Sequence, residues 1–201
     1  MRSVTNEDSQ EPRRAIIDTS GLPPQFPTHG HDPSFWEALG RAVATYGFLE
    51  EVLGKAIFAF TGTKNYDESD LEEAYTKWLP TLEQALSDPL GNLIDVYWKS
   101  VRSHDGSTIT NLDALIDDLR KAAVIRNVLC HGSWRPPSTS GASKPLFVNR
   151  KLKVFVSEID VAYLTQVQVH VGELSIAVIN SVTHMGWQFP GGGGPGKPIW
   201  K

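Results

Sequence analysis

Arg126-Asn127-Val128-Leu129-Cys130-His131-Gly132 closes the stretch on which the fold turns. Ahead of it Leu112, Leu115, Ile116, Leu119, Ala122, Ala123, Ile125 and Leu129 recur at spacings of three and four. That is the period of an α-helix with one apolar face. The pattern starts near Asn111 and stops at Gly132, a residue suited to the C′ position beyond a helix end. The last turn and a half gathers a guanidinium, a carboxamide and an imidazole, with no carboxylate among them. A guanidinium keeps its proton at neutral pH and an imidazole exchanges it. Held together, the two equip a site for phosphate ester chemistry.

Outward from this helix the chain is mostly helical in pattern. Asp32 is placed as an N-cap with Pro33 at the first helical position. Phe35, Leu39, Ala42, Val43, Tyr46, Leu49, Leu53, Ala56, Ile57 and Phe60 then follow at helical spacing to Gly62. A second helix is expected over about 68–87, with Leu71, Ala74, Tyr75, Trp78, Leu82 and Leu86 on one face and Pro80 kinking or splitting it. Pro89 opens a third, carrying Leu93, Ile94, Tyr97, Trp98 and Val101. Residues 133–144 form a loop. Pro145–Val148 and Leu152–Ser157, joined through Asn149-Arg150-Lys151, predict a small hairpin. Ser157-Glu158-Ile159-Asp160 resembles a capping box with Asp in place of Glu, ahead of a last helix reaching about Trp187. The fold class is therefore all-α: an antiparallel helical bundle with a small β-hairpin before the last helix. The Pro-punctuated residues 1–31 are assigned to a flexible N-terminal arm, 32–188 to the bundle and 189–201 to a disordered Gly/Pro-rich tail.

Composition limits function. The chain has 201 residues and a net charge of −4, which disfavours a protein that coats nucleic acid without specificity. The single Cys130 excludes an internal disulfide framework and a cysteine-based zinc site. His29, His31 and Asp32 have metal-like composition, but Asp32 is better used as a cap, so no metal and no cofactor is expected. No charged-then-apolar leader opens the chain, which predicts a cytoplasmic location. Asp160, Gln166, His170, Glu173, Asn180 and His184 interrupt the apolar last helix too often for a span, so no membrane partner is expected.

Geometry qualifies the Arg–His pair. Arg126 and His131 stand five positions apart, about 140° around an ideal helix, whereas Asn127 and His131 share a face. Convergence on one phosphate requires the helix to end at His131 or a second copy of the helix to face the first. The plainer alternative is that both residues cap and solvate a helix end, where cations are favoured. From Gly132 to Ser157 there are five basic residues, Arg135, Lys144, Arg150, Lys151 and Lys153, and no acidic one. This segment is expected to grip an RNA strand, with Trp134 as a stacking surface. Its alternative is a solvated hairpin whose cations protect an edge. Cys130 is expected as small core filler, His170 and His184 as polar-face residues, and Trp36, Tyr75, Trp78, Tyr97 and Trp98 as core.

Arg126-Asn127 followed by His131, at the end of a bundle helix, resembles the motif of the HEPN superfamily, in which four to six residues separate an Arg from a His. Trp36-Glu37-Ala38-Leu39-Gly40-Arg41 and Tyr46-Gly47-Phe48-Leu49-Glu50 look like that family's opening helix, with an acidic residue facing inward. The resemblance implies metal-independent endoribonuclease activity of a toxin or antiviral-defence type. The ribose 2′-OH attacks the neighbouring phosphate and leaves a 2′,3′-cyclic phosphate. His131 would be the acid/base, Arg126 the phosphate clamp and Asn127 a positioning residue, with Glu50 or Glu51 orienting the Arg. A homodimer, an RNA substrate and an antitoxin or regulatory protein are the partners it implies. A Tyr that some toxins of this family carry two residues after the His is Ser133 here. The alternatives are a non-catalytic HEPN-type module that binds nucleic acid or nucleotides, and a helical adaptor.

Overall fold

A computed structural model of the chain describes residues 15–85 and 87–199. The chain divides into two units, Met1–Gly30 and His31–Lys201. In the first, a single 3-10 turn, Thr19–Gly21, is capped by Asp18. Its apolar residues Ile16, Ile17, Leu22 and Phe26 are all exposed.

Among its described residues the second unit holds five α-helices: α1 (Pro33–Gly62), α2 (Leu71–Ala85), α3 (Leu90–Arg102), α4 (Leu112–His131) and α5 (Val161–Thr183). The all-α class is thus observed. Asp32 starts α1 as its sequence requires: the carboxylate accepts from the Ser34 N–H at 2.8 Å, and Pro33 follows. At 30 residues α1 is about 45 Å long. It touches all four other helices and packs most extensively on α5. Ala42, Leu49, Leu53, Ala56, Ile57, Ala59 and Phe60 are fully buried along it. Burying each large apolar side chain contributes about 1.5–3 kcal/mol. Two buried phenols are matched: Tyr46 Oη donates to the Ala122 carbonyl at 2.9 Å and Tyr97 Oη to Ser181 Oγ at 2.7 Å. Burial pushes the Tyr97 phenol up to about 12, so it stays a hydrogen-bond donor.

Contacts fix the helix directions. Trp78 of α2 donates to Thr61, while Ala85 lies against Gly54, so α2 runs back along the second half of α1. Arg102 pairs with Asp113 and Asp95 with Arg120, so α3 and α4 run oppositely. The largest interface departs from an all-antiparallel expectation. Gln168 of α5 donates to the Ala38 carbonyl, and Trp187 beyond α5 meets Phe60 near the end of α1, so α1 and α5 run the same way.

Several local expectations are corrected. α2 continues through Pro80 without a break. Its face is also rotated: Leu71 and Tyr75 are exposed, while Ala74 and Trp78 are half-buried. Leu86 lies outside the described residues. Gly132 has φ −70°, not the left-handed conformation; it is required because a Cβ there would stand 2.6 Å from the Val128 carbonyl oxygen and 2.8 Å from Pro145 Cβ. Asp160 acts as N-cap rather than within a capping box, accepting from Tyr163 N–H at 2.7 Å. α5 stops at Thr183.

The hairpin is reduced to isolated antiparallel bridges, Val148 to Val154, Ser133 to Leu146 and Ser143 to Ile159. Asn149 Oδ1 accepts from the N–H groups of Lys151 and Lys153, giving the turn a side-chain partner in place of a longer ladder. The segment expected as a disordered tail folds back. Gln188 N–H bonds Lys197 O at 2.7 Å and Lys197 N–H bonds Gly186 O at 2.9 Å. Gly196, at φ +115°, permits this return, since a Cβ there would fall 2.3 Å from the Trp187 carbonyl carbon.

Candidate functional site

Two cross-links hold α4 against α1 one helical turn apart. Tyr46 bonds Ala122, and four residues on in each helix Glu50 pairs with Arg126, Oε1 to Nη2 at 3.3 Å. The guanidinium side chain is 25% exposed and the carboxylate side chain 29%, so the pair sits at the edge of the core with one side open. Arg126 Nη1 lies 3.5 Å from Asn127 Oδ1. Glu50 Oε1 is buried and has no hydrogen bond of good geometry, so attraction between charges holds it toward Arg126. Of the two acids proposed to orient the arginine, Glu50 stands beside it. Glu51 is turned away and pairs with Lys55 at 2.6 Å. Two neighbours on one helix point about 100° apart, so only one of them can face α4.

Asn127 and His131 lie on the exposed side of α4. His131 has no hydrogen-bond partner among the described residues. Glu50, Arg126 and Asn127 are therefore brought together, and the imidazole stands apart, open to solvent. Cys130 is exposed, which corrects its assignment to the core. It follows Leu129, which is buried, and the helix has turned outward by the next position.

Trp134 is half-buried. It packs edge-on to Phe35 with centroids 5.1 Å apart and to Trp36 at 6.5 Å, anchoring the loop that leaves α4. His31 completes this aromatic cluster, stacked on Phe35 at 4.5 Å. Burial holds the His31 imidazole below its ordinary pKa, and its Nε2 has no hydrogen-bond partner among the described residues. Arg135, Lys144, Arg150, Lys151 and Lys153 are all exposed, and none has an acidic partner among the described residues. The Ser143 hydroxyl donates to the Arg135 carbonyl at 2.6 Å, which sets Arg135 and Lys144 side by side at the root of the loop.

Sequence reasoning missed a groove of about 680 Å³ between α4 and α5. Ala114, Leu115, Leu174 and Ala177 floor it, with His170 and His184 among its lining. The small residues Ala114 and Ala177 were the available signal. His170 Nδ1 lies 4.0 Å from Glu173 Oε2. Among the described residues no three His, Cys, Asp or Glu side chains come together as a metal site, and no helix is long and apolar enough to cross a membrane. No family model, curated protein or solved structure matches the chain.

Proposed function

We propose that this chain is a HEPN-like helical bundle acting as a metal-independent endoribonuclease of toxin or phage-defence type, in the cytoplasm. The observation that carries the reading is the Glu50–Arg126–Asn127 chain of contacts on the helix that ends in the exposed His131. Glu50 directs the guanidinium while leaving one side open, and the guanidinium binds a phosphate oxygen and stabilises the charge that builds on it. His131 takes the proton from a ribose 2′-OH; the 2′ oxygen bonds to phosphorus, the bond to the 5′ oxygen breaks, and that oxygen takes up a proton. The products are a 2′,3′-cyclic phosphate and a 5′-hydroxyl. Arg135 and Lys144 extend the anion-binding surface. With Arg126 and His131 about 140° apart on one helix, the working site is composite: a homodimer supplies the arginine from one copy and the histidine from the other. An antitoxin or regulatory protein would act by covering this face.

One observation favours a second reading. Glu50 already neutralises Arg126 within the same chain. Such a pair fixes helix packing with no chemistry, as expected of a module that binds nucleic acid or nucleotides without cutting. Incubation with RNA in excess EDTA separates the two. Catalysis gives cyclic phosphate ends that vanish in both Arg126→Ala and His131→Ala and fall in Glu50→Gln but not in Glu51→Gln. RNA retained but intact selects the binding module, and RNA neither bound nor cut removes both readings.

A further inference from the structure

Two apolar surfaces of opposite charge stand at opposite ends of α1, and both are exposed among the described residues. The first is the tip of the loop before α5. Leu146, Val148, Leu152, Val154 and Val156 are exposed there among Lys144, Arg150, Lys151 and Lys153. Leu152 is 84% exposed and holds φ +57°, a conformation that disfavours a branched apolar residue. An exposed leucine on strained backbone marks a contact surface rather than a turn optimised for water. The cations are equally unspent. Arg41, Lys55, Lys77, Arg102, Arg120 and Lys121 each pair with an acid of their own chain, whereas those of the loop pair with none among the described residues.

The second surface is the outward stripe of α2. Leu71, Tyr75 and Leu79, at successive four-residue steps, are exposed, with Tyr66 beside their start. Asp67, Glu68, Asp70 and Glu72 surround them, and among the described residues none is in an ion pair. The loop leaves α4 at Trp134, against Phe35 at the start of α1, while Trp78 fixes α2 to Thr61 at its end. From Phe35 to Thr61 is about 39 Å of helix, so the two surfaces of one molecule do not meet.

Charge decides the occupant. Neither surface can face its own copy across a two-fold axis, because like charges would then be opposed. Each complements the other in charge and in apolar character. An RNA strand or an anionic bilayer would answer the basic loop and leave the α2 stripe unmatched. We propose that copies of this chain associate head to tail, with the loop 144–156 of one seated on the Leu71–Tyr75–Leu79 stripe of the next. Such a contact is heterologous and repeats along a chain of copies unless the rotation closes a ring. The inference does not depend on the nuclease reading: the α4 side chains lie outside the contact, and Lys144 alone belongs to both surfaces.

Sedimentation velocity over a range of concentrations, at low and high salt, tests it. The average mass grows with concentration and falls back with salt, as screening weakens the charge match. Lys151→Glu/Lys153→Glu abolishes growth beyond a dimer, and so does Glu68→Lys/Glu72→Lys. These sites are exposed, so circular dichroism of both variants stays that of the parent. Mixed in equal amounts, the two variants form a one-to-one complex that neither forms with itself, because each keeps one intact surface. Leu152→Gly relieves the backbone, raises the melting temperature and still weakens association, a combination that a purely structural role would not give. Growth beyond a dimer that persists in either charge variant, or a mixture no heavier than its parts, overturns the proposal. So does loss of RNA or anionic-vesicle binding in the Lys variant with its self-association intact.

Discussion

At the end of α4 the decisive atom is one that Gly132 lacks. Its φ of −70° is open to any residue, so alanine would gain about 0.4–1 kcal/mol from a less flexible unfolded chain. Against that, the new Cβ would press on the Val128 carbonyl and on Pro145. Overpacking of this kind costs about 1–3 kcal/mol and wins. Gly132→Ala is therefore expected to lower the urea midpoint, with a net loss on the order of 1–2 kcal/mol. A midpoint that is unchanged or raised would show that the loop does not return so closely. At this scale the sequence was informative about residue types and silent about direction. Arg126, Asn127 and His131 could be picked out from spacing, and Asp32 from its proline. Glu50 and Glu51 could not be separated, because the choice belongs to the rotation of α1 against α4. Cys130 was misplaced for the same reason: a rotation of part of a turn carries it from core to solvent.

At the scale of elements, α2 shows what periodicity leaves open. Its apolar residues cover a broad arc, and pattern alone does not say which edge of the arc faces α1. The structure turns Trp78 inward, bonded to Thr61, and leaves Tyr75 outside. Tyr75→Lys is expected to change folding stability by no more than about 0.5 kcal/mol, the usual range at a surface position. Trp78→Lys should cost several times as much, since it strands a cation against Phe58 and leaves the Thr61 hydroxyl without its donor. Equal effects in thermal denaturation would reverse the assignment of faces. The five helices were legible because each carries its own start or stop signal and a sustained period. The hairpin was overread: alternation of Leu146, Val148, Val154 and Val156 mimics strands, but Pro145 lacks a donor and Asn149 takes two backbone N–H groups for itself.

At the scale of the whole molecule, α1 is the common wall. Every other helix leans on it, and its widest contact is with α5, the last to be made. That α1 and α5 run the same way was not legible, because the bonds that fix it join residues such as Ala38 and Gln168, far apart in the chain. Nor could spacing show that the chain returns past the C-terminal glycines so that Lys197 N–H bonds Gly186 O. The Glu50–Arg126 contact belongs here too: it exists because Tyr46 and Ala122 set the register of two helices before any question of chemistry arises.

The breadth of that α1–α5 interface has a practical meaning. The polypeptide between α4 and α5 crosses a tight exposed turn at Ser138–Gly141, where two backbone bonds, Ser138 N–H to Ala142 O and Gly141 N–H to Ser138 O, close a small ring. Severing the backbone there would cut a tether and leave the joinery whole. Fragments 1–140 and 141–201, produced together, should copurify, keep the far-ultraviolet spectrum of the intact chain and melt at a temperature that rises with concentration. Recovery of the longer piece alone would mean that the connecting peptide, and not the seam of side chains, keeps the last helix in place.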